Sequence, residues 1–386
     1  MSSQLLGHKG RCFDVRRYCC SPSSGAEIDI LISASEDGTV KLWNIAPSAG
    51  ASSCLPISTD SQIQTNCIST IYHAGRQSKD VEVLRSCVLS LHENRAHLVC
   101  TAGSDGLAIL WKELDSSDVG QIKYKKIATL KHRNEASQVY VCETFLPPTA
   151  ESITSSTQFI TAADNELYVW DSELSESIAR WSFQCNSPAT GVFGGLERNP
   201  EREAFVFDAK PCPNSAHNSV IALALSDGSI RLLDIRQRSD SDASTGALLT
   251  FSDSVLSCSH ATSVAWSSDA CRLLVTLGSG DVAVLDMRMP HVQAVLKGHS
   301  STCFGAAFAP CDESYCISWA SDCSVKLWNV SSSSPQLCRS HTIANYPLYS
   351  CAVSHKDHRV VCAGGGGERS FVGNPLHVVH LPLSLP

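Results

Sequence analysis

The pentapeptide Val-Lys-Leu-Trp-Asn occurs twice in this chain, at residues 40–44 and again at residues 325–329. A Gly-His pair precedes each copy, at residues 7–8 and at residues 298–299. A repeat determines the architecture of a whole chain. The recurrence of this pentapeptide is therefore more informative about the fold than any other pattern in the sequence. One supersecondary unit is therefore predicted to be copied around the protein.

Fixed spacings accompany the pentapeptide. Counting back from the tryptophan, an aspartate stands six positions earlier and a serine ten positions earlier, with the histidine further upstream. Alternating β-rich stretches on either side of an Asp-containing turn predict two strands joined by a tight connection. The two sets are His8, Ser33, Asp37 and Trp43 in the first copy, and His299, Ser318, Asp322 and Trp328 in the second.

Weaker copies follow the same spacing. A hydroxyl, an aspartate and a tryptophan recur as Thr101, Asp105 and Trp111, and as Thr161, Asp164 and Trp170, although Thr161 stands nine positions before its tryptophan instead of ten. Two further units carry Leu233 and Leu285 where tryptophan is expected. A last unit covers residues 351–381, which brings the predicted total to seven.

This pattern resembles that of the WD-repeat β-propellers and covers nearly the whole chain. The resemblance implies an all-β, seven-bladed propeller in a single domain over residues 1–386. Residues 2–6 precede Gly7-His8 where an outer strand belongs, so we expect this N-terminal strand to complete the last blade and close the ring. The predicted blades are roughly 7–60, 66–130, 131–186, 203–250, 255–297, 298–340, and 341–381 together with 2–6.

The family resemblance also assigns a role to the repeated polar residues. The tryptophan indole donates to the Ser or Thr hydroxyl, which contacts the histidine, which contacts the aspartate of the turn. Indole is a donor and a carboxylate an acceptor, while a hydroxyl and a neutral imidazole can do both. These tetrads are therefore expected to be structural, and Leu233 and Leu285 leave their blades dependent on apolar packing.

Composition bounds the function. The chain is 43% hydrophobic and 18% charged, with a net charge of −8, so a general nucleic-acid surface is not expected. No apolar run of membrane-spanning length and no secretory signal is found. Its 19 cysteines contain no Cys-x-x-Cys pair, which favours reduced, buried thiols in the cytoplasm or nucleus and no metal or cofactor. Basic clusters such as Arg11, Arg16 and Arg17 are expected on solvated loops and edges.

No catalytic motif is found, so the chain is not expected to be an enzyme. The leading hypothesis is a scaffold or adaptor that binds other proteins or peptides, a monomeric propeller within a hetero-complex. Arg198 and Arg202, in a loop before the fourth repeat, are candidate partner-binding residues.

The alternative is a substrate receptor of a cullin-RING ubiquitin ligase. Receptors of the damaged-DNA-binding adaptor resemble one another in a box of apolar residues followed by Trp-Asp-x-Arg. Asp234-Ile-Arg236 and Asp286-Met-Arg288 match its Asp-x-Arg part in adjacent blades, but Leu replaces both tryptophans. A strand-end aspartate with an arginine at the turn is the alternative interpretation of these residues.

Overall fold

The structure is a computed structural model of the 386-residue chain. It describes residues 2–5, 7–20, 28–45, 65–75, 81–92, 95–114, 122–132, 138–145, 158–173, 176–185, 203–214, 219–236, 247–251, 253–289, 291–310, 312–331, 334–343, 345–353, 359–365 and 376–380.

The described residues are almost entirely β-structure, with one short 3₁₀ turn at Leu256–Cys258. The strands, in chain order, are β1 Ser2–Leu5, β2 Cys12–Cys20, β3 Ile28–Ser35, β4 Thr39–Ile45, β5 Thr65–Tyr72, β6 Val83–His92, β7 Arg95–Gly103, β8 Leu107–Glu113, β9 Tyr124–Lys131, β10 Val139–Thr144, β11 Gln158–Ala163, β12 Glu166–Asp171, β13 Ser177–Ser182, β14 Val206–Pro211, β15 Val220–Leu225, β16 Ile230–Asp234, β17 Ala247–Phe251, β18 Ala261–Trp266, β19 Arg272–Leu277, β20 Val282–Asp286, β21 His291–Leu296, β22 Cys303–Phe308, β23 Tyr315–Ala320, β24 Ser324–Asn329, β25 Gln336–Thr342, β26 Leu348–Val353, β27 Arg359–Gly364 and β28 Leu376–His380.

These strands form seven four-stranded antiparallel sheets within the described residues. In each sheet the first strand of its blade is innermost, and these inner strands contact one another in cyclic order: β2, β6, β10, β14, β18, β22 and β26. The contact between β26 and β2 closes the ring. The architecture is therefore a β-propeller, whose sheets pack face to face around a central axis.

The sheets differ in how the chain supplies them. Six are blades of four consecutive strands, whereas the remaining sheet has the order β1-β28-β27-β26. In it, Ser2 lies opposite Val379 and Leu5 opposite Leu376. Counted as uninterrupted chain segments, the blades are six and not the expected seven. Counted as hydrogen-bonded sheets, the described residues form seven, and the inner strands of all seven take part in the cyclic contacts.

The first predicted boundary needs a correction. Strand β5, Thr65–Tyr72, pairs with β4 and completes the first sheet, so this blade continues past residue 60. The second sheet begins at Val83 and not at residue 66. The Ser- and Pro-containing stretch 46–64 lies outside the described residues, and its length separates β5 from the tryptophan used to measure the repeat. The spacing therefore assigned β5 to the wrong blade.

Burial follows the position of each strand in its sheet. The middle strands are covered on both faces by neighbouring blades, so β15 reads Val-Ile-Ala-Leu-Ala-Leu and is almost wholly buried. Strand β25, an outer strand, is exposed at every residue. Packing also explains the glycine of each Gly-His pair, because a Cβ there would clash with the tryptophan of the same blade. A Cβ at Gly298 would lie 2.8 Å from Cη2 of Trp328, and one at Gly7 would lie 2.5 Å from Cη2 of Trp43.

Every inner strand has the same irregularity near its start. A β-bulge follows the first residue of each and re-aims the side chain of the second. We call these second residues the mouth residues, because they begin the innermost strands at the same end of the ring. They are Phe13, Leu84, Tyr140, Phe207, Thr262, Phe304 and Tyr349.

Candidate functional site

The repeated polar residues of the first and sixth blades form closed hydrogen-bonded chains. In the first, Trp43 Nε1 donates to Ser33 Oγ at 2.9 Å, and Ser33 Oγ lies 2.8 Å from His8 Nε2. His8 Nδ1 lies 3.2 Å from Asp37 Oδ2. The sixth blade repeats this arrangement with Trp328, Ser318, His299 and Asp322, with the corresponding distances 2.9, 2.7 and 3.0 Å.

The second blade contains a tetrad whose histidine the repeat spacing did not predict. Trp111 Nε1 donates to Thr101 Oγ1 at 2.9 Å, and His73 bridges that hydroxyl to Asp105 at 2.7 and 3.2 Å. His73 directly follows outer strand β5. A histidine immediately after an outer strand is the signal that would have found it.

In the third blade, Asp164 does not take the predicted tetrad position. His132 Nε2 contacts Thr161 Oγ1 at 2.7 Å, which accepts from Trp170, but His132 Nδ1 contacts the carbonyl oxygen of Gly106 at 3.2 Å. The turn between β11 and β12 is one residue shorter than in the other copies, and Asp164 itself adopts the left-handed conformation, with φ of 49°. The nine-residue spacing in the sequence was the sign of this shorter turn.

The Ser-His-Asp contacts in these tetrads look like those of a hydrolase triad, but the hydroxyl cannot act as a nucleophile. Ser33, Thr101, Thr161 and Ser318 are fully buried. Each hydroxyl also accepts a hydrogen bond from an indole N–H, so a substrate cannot reach it. The tetrads therefore hold the turns in place and leave no reactive group at the surface.

The buried histidines make stability depend on pH. Burial lowers the pKa of His8 and His299 more than Asp37 and Asp322 raise it, and burial also lowers that of His132. Below the ordinary value of 6.5, the unfolded chain therefore takes up protons that the folded chain does not. Stability is full above that value and falls as pH drops through it, by at most about 1.4 kcal/mol per histidine per pH unit.

We expect the urea midpoint of the wild type to be lower at pH 5.5 than at pH 7.5, and His8→Gln combined with His299→Gln to reduce that difference. Glutamine retains hydrogen-bonding groups but does not titrate in this range. An equal pH dependence in the double variant would contradict the assignment.

At the ring centre, the third residue of three inner strands joins its blade to the next. Asp14 Oδ2 accepts from Ser86 N at 3.1 Å, and Asp208 Oδ2 accepts from Val264 N at 3.2 Å. Ser350 Oγ accepts from Val15 N at 3.2 Å and so joins the seventh sheet to the first blade. We call these three contacts the inter-blade staples.

A charged network adjoins the staples and spans several blades. Arg16 lies 3.0 Å from Asp14 and 2.6 Å from Glu143, and Glu143 also pairs with Lys210. Arg16 is thus engaged in the channel and does not lie on a solvated edge as expected. The network thereby connects side chains of the first, third and fourth blades.

Aromatic rings crowd the channel mouth. Tyr349 lies between Phe13 and Phe304, at centroid distances of 5.5 and 5.2 Å. On the other side, Phe207 lies between Tyr140 and His260, at 6.3 and 5.8 Å. Contacts between rings on successive inner strands place these side chains at the axis.

The two Asp-x-Arg boxes have the same geometry in adjacent blades, at the rim opposite the channel mouth. Asp234 Oδ1 accepts from the backbone N–H of Arg236 at 3.0 Å, and the carboxylate accepts from Nε and Nη2 of the same residue at 3.0 and 2.6 Å. Asp286 and Arg288 repeat these bonds at 2.9, 3.1 and 2.7 Å. The arginine side chains are 69% and 68% exposed. We call these two units the arginine forks.

The forks also shift the pKa values of their aspartates. Hydrogen bonds from Arg236 lower the pKa of Asp234, and those from Arg288 lower the pKa of Asp286, so both pairs stay ionised. In other blades the same position forms an equivalent turn without arginine: Asp171 accepts from the N–H of Glu173 at 2.8 Å. The aspartate thus has a local structural role of its own, in forming the turn. The arginine is an additional feature of the turns in blades 4 and 5.

Arg198 and Arg202 lie outside the described residues. In the described part of the chain, no group of three or more His, Cys, Asp or Glu residues could hold a metal ion. Nor does that part contain a helix long and apolar enough to span a bilayer. The described cysteines are free thiols, and burial raises the pKa of Cys303 to about 12.

Comparisons with known proteins agree with this geometry. The family model "WD domain, G-beta repeat" matches residues 2–44 and 291–329. A solved structure, the WD40 beta propeller domain of Doa1, is similar to this chain with a TM-score of 0.60 and 15% identity, covering 98% of this chain and 95% of that one. A search of curated protein sequences found no match. The chain thus carries two stretches that match the WD-repeat model, tetrads in several blades, and a β-propeller fold similar to that of a WD40 domain.

Proposed function

We propose that this protein is a non-enzymatic scaffold or adaptor subunit of a multiprotein complex. WD40 propellers generally bind other proteins or peptides. This chain has a closed ring whose blades are joined by the inter-blade staples. The observation that carries the proposal is which side chains are buried and which reach the surface. The tetrad hydroxyls are buried, whereas aromatic side chains line the mouth, with Phe205 next to it 40% exposed. Aromatic residues are enriched at protein interfaces.

Affinity purification of the tagged full chain from lysate, with quantitative mass spectrometry, tests this function. We expect co-purified proteins whose recovery falls with Phe205→Ser and does not fall with Leu337→Ser. Leu337 is a matched control because it is 47% exposed on outer strand β25, away from the mouth. The proposal fails if nothing exceeds background, or if both variants recover the same proteins as the wild type.

The arginine forks favour a second candidate, a substrate receptor of a cullin-RING ubiquitin ligase. The two forks are alike, they stand on adjacent blades, and each binds its own aspartate through Nε and Nη2 and not through Nη1. Two guanidinium groups held in fixed orientation can donate to acceptors of an adaptor protein. Leu233 and Leu285, which replace the tryptophans of the box, are fully buried. The resemblance therefore rests on the Asp-x-Arg part.

Co-precipitation of the damaged-DNA-binding adaptor tests this candidate. We expect wild-type protein to recover the adaptor, and Arg236→Ala combined with Arg288→Ala to recover at most about one tenth as much, because each lost charged contact is worth about 1 kcal/mol or more. Arg339→Ala, which removes an exposed arginine from β25, should bind like the wild type. Equal binding by the double variant, or no binding by any protein, would reject the receptor role.

We also propose a cytoplasmic or nuclear location. The free thiols support a reducing compartment.

A further inference from the structure

We propose that β9, the outer strand of the second blade, binds an extended acidic segment of a partner protein, which pairs with it as a fifth strand of that sheet. Five lysines surround this strand, and we call them the lysine edge: Lys112, Lys123, Lys125, Lys126 and Lys131. This inference rests on the proposed scaffold function and names the chemistry of one of its partners.

The lysine edge is an exposed group of positive charges without counter-ions. All five side chains are exposed. Among the residues that the structure describes, no carboxylate forms an ion pair with any of their ammonium groups. The whole chain has a net charge of −8, so this edge is a local excess of the opposite sign. Such a patch favours association with an anionic partner.

Two of these lysines face each other across neighbouring strands. The register of the sheet places Lys125 of β9 directly opposite Lys112 of β8. Like charges that are directly opposite in an antiparallel pair destabilise the sheet, so the isolated blade gains nothing from this arrangement. A carboxylate next to the two ammonium groups would remove the repulsion. The Lys112–Lys125 pair therefore indicates a ligand that the chain itself does not supply.

Protection of an exposed strand against aggregation does not account for the lysine edge. Lysine on an outer strand discourages unwanted pairing, but every blade has an outer strand that would need it. The other outer strands of the described sheets contain no lysine: β1, β5, β13, β17, β21 and β25. The enrichment is therefore specific to the second blade.

The backbone of β9 can form hydrogen bonds along the same edge. Within the described residues, its sheet has the order β6-β7-β8-β9, so β9 pairs with a neighbour on one side only. An extended peptide can add to such an edge, where main-chain hydrogen bonds provide affinity and alternate side chains provide specificity. Ile127 in the middle of the strand is 44% exposed and offers an apolar contact to the added strand.

The lysines project to both faces of the sheet. Lys125 lies opposite Lys112 and Lys126 lies opposite Trp111, and these two partners are consecutive on β8. Because consecutive residues of a strand point to opposite faces, Lys125 and Lys126 also do. An added strand presents its side chains to both faces in the same way, so its acidic residues can reach lysines on either face. This arrangement favours a strand over a nucleic acid or a lipid surface that lies against one face.

Selection from a random-peptide phage library on the immobilised full chain tests the site without assuming a sequence. Enriched peptides are then synthesised with a fluorescent label, and their affinities are measured by anisotropy. Lys125→Gln combined with Lys126→Gln removes two charges from the lysine edge. Lys9→Gln combined with Lys297→Gln is the matched control, because it removes the same charge from two exposed lysines elsewhere on the ring. N-methylation of the peptides, one amide at a time, tests the backbone pairing.

We expect a class of enriched peptides rich in aspartate and glutamate. The Lys125 and Lys126 double variant should bind them about fivefold more weakly, because two exposed ion pairs are lost, while the control should differ from the wild type by less than about twofold. N-methylation should weaken binding at every second residue of the peptide. The amides of an added strand point alternately toward β9 and toward solvent, so only half of them can pair.

The site is overturned if no acidic class is enriched, if the lysine double variant binds acidic peptides like the wild type, or if the effect of N-methylation does not alternate. Polyuridine RNA and phosphatidylserine vesicles are measured with the same variants. If either binds more tightly than the acidic peptides and depends on the same lysines, the edge is a nucleic-acid or lipid surface and the proposal fails. None of these results affects the scaffold function, which is tested separately by Phe205→Ser in another blade.

Discussion

Replacement of Asp14 by alanine is expected to destabilise the ring by about 3 kcal/mol, because it removes one of the two carboxylates that pair with Arg16 and leaves the Ser86 amide without its acceptor. Asp14 is 4% exposed and accepts from Ser86 N in the next blade and from Arg16. Burial raises its pKa, but Arg16, Arg85 and the Ser86 amide lower it by more, so the carboxylate is charged in the folded protein. Urea unfolding followed by tryptophan fluorescence measures the loss as a lower midpoint.

Two further variants separate the causes. Asp14→Asn keeps an acceptor for the Ser86 amide and removes the charge, so we expect an intermediate midpoint. Glu176→Ala removes an exposed carboxylate and should change stability by less than about 0.5 kcal/mol. A wild-type midpoint for Asp14→Ala would show that the inter-blade staple contributes nothing.

The second large effect is expected at Asp227, in a blade that has leucine in place of the tetrad tryptophan. Arg231 there is buried, with its side chain 2% exposed, and pairs with Asp227 at 3.3 Å. Its guanidinium also donates to the carbonyl oxygen of Gln184 and lies 5.8 Å from the ring centre of Phe183. Asp227→Asn removes the counterion of a buried charge and should cost about 3 kcal/mol or more.

A double variant distinguishes this ion pair from simple packing. Arg231→Met with Asp227→Asn removes both charges, so we expect much of the lost stability to return. Calorimetry on the wild type, both single variants and the double variant gives the coupling. Additive losses would mean that the two residues do not act as a pair.

The repeat made much of the architecture predictable. Trp43 and Trp328 fixed the spacing of two blades, and the family resemblance then assigned Ser33, His8 and their equivalents to a tetrad whose distances the structure gives. The position of residues 2–6 before Gly7-His8 indicated their pairing with the last strand, which β1 and β28 make. These features are local in sequence or repeat at a fixed interval, so a sequence pattern can predict them.

Other features arise from contacts that no spacing encodes. Arg16 was assigned to a solvated edge, yet it lies in the channel, because Glu143 approaches it from the third blade. The mouth residues are one per inner strand and share a bulge and not a residue type, so they do not stand out in the sequence. Asp164 kept its distance from Trp170 while its turn lost a residue, and counting back from the tryptophan alone could not show this. Arg231 stands in a blade with the usual repeat spacing, and its ion pair with Asp227 takes the place of a tetrad there.

The arginine forks and the mouth residues Phe207 and Thr262 stand on blades 4 and 5 but at opposite ends of their sheets. Strand β16 has five residues, so about 17 Å of sheet separates a partner at one end from a partner at the other. Two macromolecules docked in this way would not collide, and each could be exchanged while the other stays bound. The propeller would then act as a spacer that sets the distance and orientation of its two clients in a ternary assembly.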